Sequence, residues 1–168
     1  AEVVSRLVAL MDSGDYEIRK GAFRALTVVG PPARQHDPQL VEKVRYAKQK
    51  GIQEVGMISN GSLITDDVAR GMIEAGLDAI NISVDASGKE VFESTRIGLK
   101  YDKVIANIER LVRIRAELGK RRPKLILSFV RQNNSLDEQA FIAHWRKKAD
   151  KIHVTDLHNW AGTLNQES

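Results

Sequence analysis

The stretch AINISVDASGKEVFESTRIG, residues 79–98, decides how the chain is read. It starts as a short apolar, β-branched run that ends in Ser83, Val84 and Asp85. A run of that length between polar segments reads as a strand buried in a parallel sheet. A short loop follows, and then Arg96 and Gly98 stand just ahead of a long amphipathic helix. A hydroxyl, a carboxylate and a guanidinium thus gather past the end of one strand.

Working outward, the same pattern recurs. AFRALTVV (22–29), EVGMIS (54–59), KLILSFV (124–130) and KIHVTD (151–156) are also β-rich. Helical patterns lie between the runs. Over 38–50 the apolar residues share one face, with Asp37 as N-cap, Pro38 at the first helical position and Gly51 as the stop. Thr65 caps DDVARGMIEA, and Gly76 ends it. Asp102 opens the long helix, with Val104, Ile105, Ile108, Leu111 and Val112 inward and Gly119 at its close. Ser135 and Glu138 make a capping box ahead of Phe141 and Trp145. Strand–helix alternation predicts an α/β domain with about five parallel strands and helices outside them. The N-terminal residues read as a helix and a loop, and the adjacent Pro31 and Pro32 in VVGPPARQHDP (28–38) forbid a central strand or helix there.

Polar residues collect after each strand: Asn60 and Gly61, Ser83 and Asp85, Arg131 to Asn134, Asp156 to Asn159. Ligand sites of barrels and open α/β sheets lie at the carboxyl ends of the strands. Strands must also end in loops, and loops are polar in any case.

Composition narrows the function. The 168 residues suit one domain, with 42% hydrophobic and 29% charged residues, as in a globular protein. No apolar run reaches the ~20 residues of a membrane span, and no signal segment opens the chain. The cytoplasm is therefore the expected location. The net charge of +4 is mild and aromatics make up 5%, so nucleic acid is not an expected partner. Arg110, Arg113, Arg115 and the KRR at 120–122 read as solvated helix faces. There is no cysteine. That removes disulfides, thiolate nucleophiles and any cysteine-ligated zinc or iron–sulfur site.

Glycine-rich dinucleotide and Walker loops are absent, as is a G-x-S-x-G elbow. His36, His144, His153 and His158 lack metal-ligand spacing, so no metal site is expected. His153 alternates with Ile152 and Val154, which leaves it facing either a barrel interior or a helix.

Four segments taken together are more specific: MISNGSLIT (57–65), EAGLDAINISVDAS (74–87), STRIG with YDKVIANIERLVRIR (94–98 and 101–115) and HVTDLHNWAG (153–162). They resemble the radical S-adenosylmethionine (SAM) superfamily, in the branch that often carries a SPASM-type auxiliary-cluster domain. The whole chain, 1–168, would be one partial barrel domain, matched well over 37–162 and poorly over 1–36. The resemblance implies a partial (β/α) TIM-like barrel whose strands here are the second to sixth of six. It implies SAM and a [4Fe–4S] cluster as cofactors, and a flavodoxin- or ferredoxin-like electron donor. The substrate stays open among peptides, sugars and other small metabolites.

By the same resemblance, Ser83 would hydrogen-bond SAM near its ribose or amino-acid end, and Arg96 would pair with its carboxylate. Asn60, in SNG, matches the family's TNG. Asp85 would orient the loop or touch a ribose hydroxyl, an Asx turn being the other reading. Leu157 matches a position that contacts the adenine, with core packing as the other reading.

Two departures stand out. The family's Gly-Gly-Glu-Pro stretch has only Gly30 and Pro31 as an echo, without the acidic residue. The CxxxCxxC cluster loop is missing, and with it the first strand. The expectation is a fragment or degenerate copy of a radical SAM enzyme, inactive alone and with an exposed strand edge that favours pairing. A non-catalytic binding module on a barrel remnant is the rival reading. A metal-free phosphate-binding barrel fits less well, because HNWAGT (158–163) offers a single glycine.

Overall fold

The computed structural model describes residues 9–10, 13–18, 39–84, 88–131 and 135–156. Nine elements span 39–156 in this order: α1 (Gln39–Gln49), β1 (Gly56–Ser59), α2 (Asp66–Glu74), β2 (Ala79–Ser83), α3 (Lys89–Thr95), α4 (Tyr101–Glu117), β3 (Lys124–Arg131), α5 (Ser135–Trp145) and β4 (Lys151–Asp156). The four strands form one sheet in the order β1-β2-β3-β4. Every pairing is parallel. The expected strand at 22–29 lies outside the described residues.

The register sorts side chains onto two faces. Ile80, Ile82, Leu125, Leu127 and Phe129 lie on one and are buried. They share a core with Val44 and Ala47 of α1, Ala69 and Met72 of α2, Val104, Ile108 and Leu111 of α4, and Phe141 and Trp145 of α5. Phe129 and Phe141 stack with centroids 5.4 Å apart. The other face carries Ile58, Asn81, Ser83, Ser128, His153 and Thr155, which are half-buried or exposed. One covered face and one open face, on an all-parallel sheet, is the geometry of a barrel wall.

Local signals explain most boundaries. The Thr65 hydroxyl accepts from the Val68 amide at 3.3 Å, and Gly76 takes φ +87 beyond the end of α2. Gly51 and Gly119 also adopt positive φ after α1 and α4, as glycine at a helix end does. Two expectations need correction. The long helix starts at Tyr101 with Lys100 at its N-cap, so Asp102 sits in the first turn and pairs with Lys89 at 2.5 Å. The segment before it is not only loop: α3 fills 89–95. Ser94 and Thr95 weaken that helix in isolation by bonding back to the Val91 carbonyl. Burial of Phe92 against Tyr101, ring centroids 5.5 Å apart, holds it.

The amino ends of the strands are pinned by two carboxylates. Asp78, just before β2, is 5% exposed. It accepts from the Val55 amide at 2.8 Å and from Lys48 and Arg122. Asp150, just before β4, accepts from the Leu125 amide at 2.8 Å and from Arg115. Burial pushes both carboxyls up, but these hydrogen bonds and cations outweigh it and hold both below the ordinary carboxylate value. The arginines therefore do more than solvate helix faces. Arg110 and Arg113 grip the two oxygens of Asp66 at 2.6 and 2.8 Å, joining α4 to α2.

Candidate functional site

The opposite, carboxyl rim of the sheet carries the candidate residues. Ser59 pairs with Ile82, so Asn60 and Ser83 are the next residues out on neighbouring strands. Ser83 pairs with Ser128, and Ser128 with His153. A row of small polar groups and one imidazole thus crosses β2, β3 and β4 on the open face. Just inside that row, the Ser128 hydroxyl donates to the Asn81 side-chain oxygen at 2.8 Å. Thr155 stands further out on β4 and shares the face.

The turn after β1 is built by its own side chains. Gly61 donates to the Ser59 hydroxyl at 3.0 Å. The Asn60 carboxamide oxygen accepts from the Ser62 amide at 3.0 Å and the Ser62 hydroxyl at 2.8 Å. Asn60 therefore makes an Asx turn, with its oxygen committed to the loop and its residue exposed. Gly61 takes φ +73, and a Cβ there would sit 3.0 Å from Ile82 and 3.2 Å from Val104. Only glycine meets both conditions.

Arg96 stands at the end of α3, the helix that follows β2. Its amide donates to the Phe92 carbonyl at 2.8 Å and its carbonyl accepts from Leu99 at 3.0 Å. Glu93 stiffens the same loop by accepting from the Tyr101 amide at 3.3 Å and pairing with Lys100 at 2.7 Å. The structure thus sets Asn60 and Ser83 side by side and puts Arg96 at the C-cap of the helix that follows β2. Asp85 and Leu157 lie outside the described residues.

Asn81, Ser128 and His153 were missed as site candidates. A polar residue inside an apolar run, as in AINIS and LILSFV, was the available signal. His153 could not be assigned a face from alternation alone, and the register assigns it to the open one.

An iron–sulfur cluster does not fit this chain. Such clusters are held by thiolates, and the sequence has no cysteine. No group of three or more His, Asp or Glu among the described residues could hold a metal ion either. No described helix is long and apolar enough to cross a membrane.

Comparison with known proteins places this geometry. The chain is similar to proteins called "Probable GTP 3′,8-cyclase". That of Saccharolobus solfataricus is 32% identical over 129 residues, covering 77% of this chain and 40% of the relative. That of Sulfurisphaera tokodaii is 30% identical over 129 residues, covering 77% and 39%. The chain thus spans about two fifths of the length of the curated relatives it matches. Among solved structures it resembles methylornithine synthase (PylB) with a TM-score of 0.58 and 17% identity, covering 79% of this chain and 39% of that one. At that identity the likeness speaks for the fold, a partial TIM-like barrel. Residues 14–117, more than half of the chain, match the family described as the radical SAM superfamily, and the chain belongs to that superfamily.

Proposed function

We propose that this chain is the SAM-facing wall of a radical SAM enzyme's barrel. The observation that carries the reading is the open-face rim, where Asn60 and Ser83 emerge side by side in register with Ser128 and His153. Ser83 binds the ribose or amino-acid end of SAM, Arg96 pairs with its carboxylate, and Asn60 holds the turn beside them. Asp85 and Leu157 complete the set as loop and adenine contacts. In the complete enzyme SAM is cleaved reductively and hydrogen is abstracted from a substrate. The thiolates and the electron donor for that chemistry come from outside these 168 residues. The relatives' name favours a nucleotide among the open substrate classes.

The lack of cysteine favours one second reading, a non-catalytic binding module built on the same wall. Reading the coding DNA on both sides separates the two. An in-frame CxxxCxxC upstream supports the enzyme. Start and stop signals flanking the chain exclude radical catalysis and leave the binding module.

SAM recognition is tested on the chain itself by NMR titration. SAM is expected to shift the signals of Asn60, Ser83, Ser128 and His153 and to leave the opposite end, at Asp78 and Asp150, unmoved. Arg96→Ala should weaken that binding about tenfold, the order of a lost charge-assisted hydrogen bond. Arg113→Ala, on an exposed helix surface, should leave it unchanged. Equal effects of the two substitutions, or no shift at the rim, would sink the assignment.

A further inference from the structure

The turn that carries Asn60 is held from beneath by two side chains of α4 that the SAM reading does not use. The Asn107 carboxamide is 5% exposed. It donates to the Gly61 carbonyl at 2.8 Å. Its own oxygen accepts from Arg110. Arg110 also donates to the Ile64 carbonyl at 3.1 Å, and its Nε pairs with Asp66 at 2.6 Å. The two side chains therefore reach both ends of the 61–64 turn and the first residue of α2.

Physical chemistry makes this arrangement directional. Gly61 is buried, and a buried carbonyl must find a donor. The residue is wedged against Ile82 of β2 and Val104 of α4, so its carbonyl stays buried for as long as the turn is docked. If Asn107 does not donate, the turn can satisfy that carbonyl only by lifting toward water. Lifting it would break the Ser59–Gly61 and Asn60–Ser62 hydrogen bonds, because both belong to the same few residues. The Asn60 side chain would then lose its fixed orientation at the rim.

We propose that Asn107 and Arg110 form a latch that positions Asn60, making Asn107 a positioning residue for the ligand site. The latch rests on the SAM reading for its ligand but not for its structure. Hydrophobic periodicity assigns position 107 to the inward face of α4, where an amide is out of place unless something requires it. The Gly61 carbonyl requires it.

The test uses the whole chain and two variants. Asn107→Leu keeps the volume and removes the donor. Arg110→Met removes the partner of Asn107 and the bond to Ile64, at a half-buried position that tolerates change better. Hydrogen exchange is followed at the amides of Gly61 and Ser62, with those of Ile82 and Leu127 as sheet controls. In Asn107→Leu, exchange at Gly61 and Ser62 should accelerate about tenfold or more, as for a buried polar group left unpaired. The controls should not move. Arg110→Met should act in the same direction and more weakly, and it decides the question if Asn107→Leu does not fold.

The ligand arm is a SAM titration of the same variants. The SAM-induced shift of the Asn60 side-chain amide should be lost while the shifts at Ser83 and His153 persist. A purely structural role would weaken all of them together. An unchanged Asn60 response, or exchange that rises equally in turn and sheet, overturns the latch. If the unaltered chain shows no SAM-induced shift at all, the SAM reading fails, and the exchange arm alone judges the latch.

Discussion

Asp78 gathers three separate segments through one side chain and its own backbone. Its carboxylate binds Lys48 at the end of α1, the Val55 amide ahead of β1 and Arg122 ahead of β3. Its backbone adds bonds to the Val55 carbonyl at 2.9 Å and from the Lys124 amide at 2.8 Å. Replacing it with alanine leaves the buried Val55 N–H without an acceptor, so Asp78→Ala should cost about 1–3 kcal/mol near neutral pH. The pH dependence follows from the direction of the shift. The folded carboxyl sits below its ordinary value of 3.8, so the unfolded chain takes up the proton first as pH falls. The stabilisation is whole above that ordinary value, shrinks as pH drops through it and is gone below the lower folded value. Urea unfolding of both forms should show a stability gap that is widest at neutral pH and narrows in acid, where the charge-dependent part is lost while a protonated Asp78 can still accept from Val55. A gap that stays constant in acid would mean the charge is not what stabilises.

Among the elements, the approach of α1 to α2 is set by Gly71. A Cβ there would lie 2.9 Å from Val41, a stiff β-branched side chain. Exchanging glycine for alanine inside a helix ordinarily gains about 1 kcal/mol. Here overpacking of about 1–3 kcal/mol opposes that gain. Gly71→Ala should therefore be neutral to destabilising, and a melting temperature raised by several degrees would show that α1 can retreat freely. Legibility also differs between elements. Strands β1 to β4 and helices α1, α2, α4 and α5 were readable because each has a strong apolar pattern and most end in a capping residue or glycine. Helix α3 was not, because KEVFEST has no apolar stripe of its own and exists through Phe92 meeting Tyr101. The site was legible where polar residues follow strands, as at Asn60 and Ser83. It was not legible at Ser128 and His153, whose facing depends on register between strands far apart in sequence. Asn107 escaped notice because it interrupts an otherwise apolar face, and only the buried Gly61 carbonyl supplies its reason.

For the molecule as a whole, the open face matters most. Ile58 is 76% exposed there, and Ile97, beside Arg96, is 93% exposed. An apolar strand residue with so little cover favours association. Sedimentation of the purified chain should therefore show concentration-dependent dimers or larger species. Ile58→Lys should shift it toward monomer without lowering its unfolding midpoint. A monomer at all concentrations would mean that this face is tolerated bare.

The two pinning carboxylates have a consequence for how such a wall can diversify. Asp78 and Asp150 fasten the returns from helix to strand, so insertions there would disturb backbone bonds that align neighbouring strands. The segments leaving the strands are different: apart from the latched turn after β1, they follow the last paired residues, such as Ser83 and Arg131, so their lengths need not enter the strand register. Descent with modification can then lengthen, replace or graft chain at one rim while the other stays frozen.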